Sequence, residues 1–352
     1  MNRRYAVSPT SLPRVLILDT GGTISQKPGH EGALEPCSTD YIETVPRLHD
    51  AADIRLIRLQ RMDSTDMTTS LRGEIARQIC DNYDDYDGFV VLHGTDTMPE
   101  TASALTYMLR GLGKPVVLTG AQLPIFAPGP DGMNNLYYSV IAATLDLGEV
   151  VICFGDRILR GSRSTKENVH GFNAFVSTRI PPLGELGVTV RLLDHRLRRT
   201  GSRPQLFTSF NPRVCYLPLT SGSELPLLEM LAASGTPDGV VLGGFGTGNI
   251  PSLHMKGLKA LLARDIPVIV VTTCLRGDTI LEQYRLGQIV RQAGAEEGLD
   301  LTPGAACQKL MFALGKTDED CPALTGPERV ERIYSLFRTP VAMDMEAPSP
   351  VS

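Results

Sequence analysis

The chain has 352 residues, 42% hydrophobic and 21% charged, which is long enough for two domains and ordinary for a protein that buries a real core. Lys and Arg total 34 against 39 Asp and Glu, and the resulting charge of −5 argues against nucleic acid and against an anionic membrane as partners. No apolar run approaches membrane-spanning length, and Met1 to Pro13 carries Arg3 and Arg4 with no hydrophobic segment behind them, so no secretory leader is expected. Seven cysteines between Cys37 and Cys321 show no metal spacing. They are read as reduced thiols of a cytoplasmic protein, with neither a metal nor a cofactor expected.

Along the chain, short apolar runs alternate with helical patterns, the signature of a parallel sheet covered by helices. Val15-Leu16-Ile17-Leu18 is a strand that ends at Asp19-Thr20-Gly21-Gly22-Thr23. Ile54 to Leu59 is a second, followed by Met62-Asp63-Ser64-Thr65-Asp66 and a helical repeat at Leu71, Ile75 and Ile79. Phe89 to Leu92 is a third, running into His93-Gly94-Thr95-Asp96-Thr97. Thr97 and Glu100 stand at capping-box spacing with Pro99 in the first turn, and Leu105, Met108, Leu109 and Leu112 form the stripe of the helix that follows. Val116 to Leu118 and Val150 to Phe154 complete the strands of this first α/β domain.

Periodicity lapses between Arg196 and Pro212, where Arg196, Arg198, Arg199 and Arg203 cluster, and this stretch reads as a solvated linker rather than a phosphate site. Strands resume at Val214 to Leu219, Val240 to Leu242 and Val268 to Val271, with helical patterns at Leu225 to Leu231 and Leu258 to Leu262, and a capping box at Thr325 to Glu328. The expected architecture is therefore a larger N-terminal parallel-sheet domain with flanking helices (14–195), a linker (196–213) and a smaller C-terminal α/β domain (214–340).

In parallel α/β sheets ligands bind beyond the carboxyl ends of the strands. Three successive strands here end in hydroxyl-rich loops: Thr20 and Thr23, Ser64 and Thr65, Thr95 and Asp96. Turn chemistry would favour Gly, Asn and Asp there and does not ask for threonine each time. Gly21-Gly22 and the Gly244, Gly246, Gly248 series lack the remaining features of dinucleotide or P-loop motifs. No GxSxG elbow occurs, and none of the six histidines has triad or metal spacing. His93 is expected to pack rather than act as a base. Without a histidine, a hydroxyl nucleophile needs another activator, and a lysine beside an aspartate can serve. Lys166, in a polar loop after a strand, is the candidate.

These segments resemble the signature loops of bacterial cytoplasmic (type I) L-asparaginases: Thr20-Gly21-Gly22-Thr23-Ile24, Met62-Asp63-Ser64-Thr65-Asp66-Met67 and His93-Gly94-Thr95-Asp96-Thr97. The resemblance continues through Thr119-Gly120-Ala121-Gln122 and Arg160-Gly161-Ser162-Arg163-Ser164-Thr165-Lys166. It weakens after residue 200, though Phe245-Gly246-Thr247-Gly248-Asn249 and Thr273-Cys274-Leu275-Arg276-Gly277 still resemble the family's second domain. It implies hydrolysis of L-asparagine through a Thr23 acyl-enzyme, with Thr95, Asp96 and Lys166 as a proton relay. Ser64 and Thr65 would hold the substrate's α-carboxylate, with Asp63 beside them among the substrate-binding residues. Asp96 would hold its α-ammonium, and the backbone at Ala121 would recognise its amide nitrogen. It also implies a homo-oligomer, a dimer or dimer of dimers, with Asn249 as the candidate contact to a partner's site.

Two departures stand out. Many relatives carry a tyrosine in the loop after the nucleophile, but Ser25 to Cys37 has none and reads Gly32-Ala33-Leu34-Glu35-Pro36 in the comparable stretch. The place of the arginine that some type I enzymes use for an asparagine effector reads Leu242-Gly243-Gly244, and Arg276, just after Cys274 at the neighbouring strand end, is the residue left to reach the same pocket. The competing readings are an amidase for a different small amide, a non-catalytic amino-acid-binding protein, and an ammonia-supplying amidotransferase subunit. The last is disfavoured by the acidic balance and by a first strand that starts near Arg14.

Overall fold

In the computed structural model, residues 11–28, 34–36, 42–45 and 47–346 are described. The first layer is an eight-stranded sheet. Its strands in chain order are β1 (Arg14–Gly21), β2 (Asp53–Met62), β3 (Gly88–Leu92), β4 (Val116–Thr119), β5 (Val150–Phe154) and β6 (Arg157–Arg160). Helices α1 (Thr69–Asp81), α2 (Met98–Met108) and α3 (Gly132–Thr144) connect them. A short pair follows, β7 (Ser164–Lys166) with β8 (Phe175–Ser177), and then the edge strands β9 (Gly184–Glu185) and β10 (Arg191–Leu192).

The spatial order is β10-β9-β6-β5-β4-β3-β1-β2. The five strands from β2 to β5 are parallel, whereas β6, β9 and β10 run antiparallel. The expected parallel strands with flanking helices form the body of the sheet, and three antiparallel strands extend it at one edge, so the sheet as a whole is mixed. Only Asp156 and its neighbour Gly155 separate β5 from β6, too short a link for a crossover helix, so β6 returns as a hairpin. The unbroken apolar runs of β1, β3, β4 and β5 reflect burial on both faces, whereas β2 at the edge carries charged residues and is only partly buried. Leu16 and Leu18 meet Leu105 of α2 on one side, and Val15 and Ile17 meet Leu136 of α3 on the other.

The second sheet is parallel, with β11 (Val214–Pro218), β12 (Gly239–Gly244), β13 (Val268–Thr272) and β14 (Glu296–Glu297) in that order. Helices α4 (Leu227–Ser234) and α5 (Met255–Leu262) cover one face. After α6 (Arg285–Gln292), α7 (Pro303–Asp320) and α8 (Gly326–Arg338) cover the other.

Residues 196–213 are solvated only in part, with the Arg198 and Arg203 side chains 62% and 54% exposed and others packed onto the fold. The Arg196 guanidinium donates to the Asp146 carboxylate and carbonyl, Gln205-Leu206 pairs with Leu109-Arg110, and the Phe207 and Phe210 rings are buried against Phe312 of α7. The arginines met a carboxylate that lies far away in sequence, a partner no local reading can supply. Neither expected capping box forms. Thr97 spends its hydroxyl on the Ser64 carbonyl, and Thr325 makes no cap bond. The hydroxyls that do cap are Thr68, accepting from Leu71 N, and Thr302, accepting from Ala305 N.

The two sheets are joined through α2 and α7. Tyr107 stacks on Phe312 with ring centroids 5.7 Å apart, and its hydroxyl donates to Asp344, which also receives the Lys309 ammonium at 2.7 Å. Lys309 and Asp344 are fully buried. A buried charge is tolerated only when paired and hydrogen-bonded, so this cluster specifies one arrangement of α2, α7 and the chain near Asp344.

Candidate active site

Strands β2, β1, β3 and β4 are neighbours, so the loops that leave their carboxyl ends share one edge of the sheet. Thr20 is buried and its hydroxyl donates to the Leu92 carbonyl at the end of β3. That hydroxyl is therefore a tie between strands. The chain then passes through Gly21 and Gly22, both at positive φ (101° and 82°), where L side chains are strained. A Cβ on Gly22 would stand 2.5 Å from the Gly94 amide nitrogen, so this backbone lies directly on the loop after β3. Thr23 follows, half-buried, as the first residue of a 3-10 turn (Thr23–Ser25).

The loop after β2 is packed on the same point. A Cβ on Gly94 would meet the Ser64 Cβ at 2.7 Å, and the Thr97 hydroxyl donates to the Ser64 carbonyl at 2.6 Å. Ser64 is buried and Thr65 exposed. The Asp63 carboxylate accepts from the Thr65 amide and hydroxyl, and these bonds hold its pKa below the usual carboxylate range. Asp63 thus shapes the turn and orients the Thr65 hydroxyl.

Lys166 lies on the short strand β7, not in an open loop, paired with β8. That pairing carries its ammonium to the loop after β3, where it donates to Thr95 Oγ1 at 2.8 Å and to Asp96 Oδ1 at 2.6 Å. The lysine side chain is 15% exposed and that of Asp96 58%. The pair therefore has a sheltered cation and an accessible carboxylate.

Ala121 is buried in the loop after β4. Its Cβ and the Ile24 side chain both border Gly132, at 3.2 and 3.4 Å from where a Cβ there would be, so the Ala121 loop abuts the turn that begins at Thr23. Sequence reasoning missed what holds this loop. The Asp131 carboxylate accepts from the amides of Gln122 and Leu123, and the Asn135 side chain donates to the Gly120 carbonyl. The available signal was a polar pair, i and i+4, on the buried face of an otherwise apolar helix.

Asn249 belongs to the other sheet. It closes the turn after β12, with reciprocal backbone bonds to Phe245. Gly243 on the same strand lies close under the Tyr216 hydroxyl, 2.8 Å from where a Cβ would be, and Arg276 is exposed in the loop after β13. Of the tyrosine-free stretch, Gln26–Pro28 and Leu34–Pro36 pair as antiparallel strands, and Gly32, Ala33 and Cys37 lie outside the described residues. Among the described residues no cluster of three or more His, Cys, Asp or Glu could hold a metal, and no helix is long and apolar enough to cross a membrane.

His93 is packed, as expected. It is fully buried, and its Nδ1 lies 2.7 Å from the Gly94 carbonyl, an acceptor, which assigns the proton to Nδ1. Burial pushes its pKa down to about 4, helped by the Arg72 charge and opposed by the Gly94 bond. Between that value and its ordinary 6.5 the unfolded chain binds a proton that the folded chain does not, so stability rises with pH in this window. The contribution is complete above about pH 6.5 and is lost towards pH 4, by roughly 3 kcal/mol from this group alone. Melting of wild type and His93→Asn at pH 7 and pH 4.5 is expected to show a smaller acid loss in the variant. Equal losses would mean that His93 protonates freely in the fold.

Residues 14–198 match the family described as asparaginase, N-terminal, and residues 213–323 match the glutaminase/asparaginase C-terminal domain. The chain is 34% identical to the L-asparaginase of Thermococcus kodakarensis over 308 residues, covering 86% of this chain and 93% of that one. It is 33% identical to L-asparaginase 1 of Escherichia coli K12 over 312 residues, with coverage of 86% and 92%. The crystal structure of L-asparaginase I from Vibrio cholerae superposes with a TM-score of 0.83 at 30% identity, covering 96% of this chain and 100% of that one. In both halves of its sequence and across its fold, the chain belongs to the asparaginase family.

Proposed function

We propose that this protein hydrolyses the side-chain amide of L-asparagine to L-aspartate and ammonia through an acyl-enzyme on Thr23. The observation that carries the reading is the Lys166 ammonium bonded to both Thr95 Oγ1 and Asp96 Oδ1 at the strand end beside the one that carries Thr23. A binding protein has no need of a lysine joined to a hydroxyl and a carboxylate. A hydrolase uses that arrangement to accept and return a proton. In the reacting form Lys166 is the neutral amine: as Thr23 Oγ attacks the amide carbon, its proton passes through the Thr95 hydroxyl to Lys166 Nζ. The carbon–nitrogen bond then breaks as nitrogen takes up that proton and leaves as ammonia. Water, giving its proton to the same relay, attacks the Thr23 ester and releases aspartate. Ser64 and Thr65 hold the α-carboxylate, the Thr65 hydroxyl leaving the Asp63 carboxylate to donate to the substrate, and the accessible Asp96 carboxylate holds the α-ammonium.

The experiment is ammonia release from L-Asn, L-Gln, D-Asn and a panel of small amides. Hydrolysis of L-Asn supports the proposal. Turnover of another amide alone points to a different metabolite, and no turnover with tight amino-acid binding points to a binding protein. One methylene separates Asn from Gln, and an apolar pocket resolves that by only about 10–200-fold. Saturation with L-Asn is expected to be hyperbolic, because an effector carboxylate wants a guanidinium and Gly243 and Gly244 cannot supply one. A sigmoidal curve would turn attention to Arg276.

The working assembly is a homo-oligomer, a dimer or dimer of dimers, with Asn249 of the second sheet offered to a partner's site. Sedimentation at assay concentration is expected to show at least a dimer. A fully active monomer would rule out the shared site.

A further inference from the structure

We propose that Asp19 and Arg61 are a positioning pair that sets the place of the Thr23 hydroxyl relative to the Ser64–Thr65 loop. The proposal rests on the reading of Thr23 as nucleophile. Asp19 is the last residue of β1 in regular register, and it is fully buried. Its Oδ1 accepts from the Gly21 amide at 2.9 Å and its Oδ2 from Arg61 Nε at 2.8 Å. A buried carboxylate at a strand end is unfavourable without compensation, and the β1 residues before it, Val15 to Leu18, are apolar and fully buried. It is kept here between one backbone amide and one guanidinium.

The pairing of β1 with β2 explains why those two groups meet. Register is regular from Arg14 opposite Asp53 to Asp19 opposite Arg58, and the next partner of Gly21 is Met62. Two steps along β1 thus correspond to four along β2, so β2 bows outward over its last residues. Such irregularities re-aim side chains beside functional sites. Arg61 sits on the bow, one residue before Met62, with its side chain 19% exposed. The bow closes onto Gly21, where a Cβ would lie 2.7 Å from both the nitrogen and the oxygen of Met62.

The pair is therefore a strut. One end holds the positive-φ turn Gly21-Gly22 that delivers Thr23, and the other holds the strand end that continues into Asp63, Ser64 and Thr65. A substrate gripped by its α-carboxylate presents its amide carbon at a distance fixed by its own bonds, so the spacing of the two loops decides whether the Thr23 oxygen reaches it. Misplacing a reacting group by about 1 Å can cost on the order of 100-fold in rate.

The test is steady-state kinetics on the full-length oligomer for Asp19→Ala, Asp19→Asn and Arg61→Met, each with a melting curve to establish the folded fraction. Asp19→Ala is expected to lower kcat by about 100-fold with KM within a few-fold of wild type. Asp19→Asn keeps an acceptor for the Gly21 amide and is expected to recover part of that loss. Arg61→Met leaves the Asp19–Gly21 bond and is expected to fall between them, and it carries the test if Asp19→Ala does not fold. A merely structural pair would lower the melting temperature and leave kcat per folded enzyme unchanged. Folded variants with kcat within about twofold of wild type would overturn the pair's role alone. A wild type that hydrolyses no amide would overturn the proposed function, and this inference with it.

Discussion

Replacing Thr23 by alanine is expected to lower ammonia release by about 10⁴-fold or more, because on the proposed mechanism it removes the covalent nucleophile and leaves only the binding and electrostatic parts of the site. Folding should be nearly unaffected. The turn is anchored by Thr20 on the Leu92 carbonyl, by the Asp19–Gly21 bond and by the contact of Gly22 with Gly94, none of which uses the Thr23 side chain. Thermal melting with and without aspartate checks both points, since ligand that binds the folded protein raises its melting temperature. The variant should still be stabilised by aspartate. Retention of more than about one hundredth of the wild-type rate, far above what loss of a nucleophile permits, would remove Thr23 from the mechanism.

Lys166→Met should cost about 10³-fold or more in kcat, the scale of a lost general acid–base group. Methionine copies the length of the lysine stem without a donor, so the bonds to Thr95 and Asp96 vanish while the β7–β8 pairing remains. The stability cost should be small, because the carboxylate left behind is 58% exposed and regains water. The measurement is kcat and KM for L-Asn beside the melting temperature. A variant with an unchanged kcat would place the proton acceptor elsewhere, and the segment between Ser25 and Cys37 would be the place to look.

Much of this protein is legible in its sequence. Buried parallel strands announce themselves as unbroken apolar runs such as Val15 to Leu18 and Phe89 to Leu92, because both faces of each are covered. Positive-φ turns announce themselves as glycines, and the hydroxyl-rich loops at the ends of the first strands mark the edge where the candidate site lies. These are local properties, written in residue type and period, and so were the strand-end positions of Thr23, Ser64, Thr95 and Ala121.

What only the tertiary structure decided are the partnerships. The meeting of Lys166 with Thr95 and Asp96 across 71 and 70 residues is implied by the family resemblance but by no local pattern, and the Arg61 guanidinium's contact with Asp19 across 42 residues by neither. Thr97 and Thr325 both looked like helix caps, yet neither hydroxyl caps, and that of Thr97 is drawn away by the Ser64 carbonyl on a neighbouring loop. The basic run from Arg196 looked solvated until Asp146 appeared beside it. The antiparallel return of β6 was likewise hidden in a strand too short for its period to speak. Hydrogen bonds and ion pairs are satisfied by whichever group the fold brings within about 3 Å. Sequence period fixes which face a residue occupies, and the packing of sheets and loops chooses its neighbour.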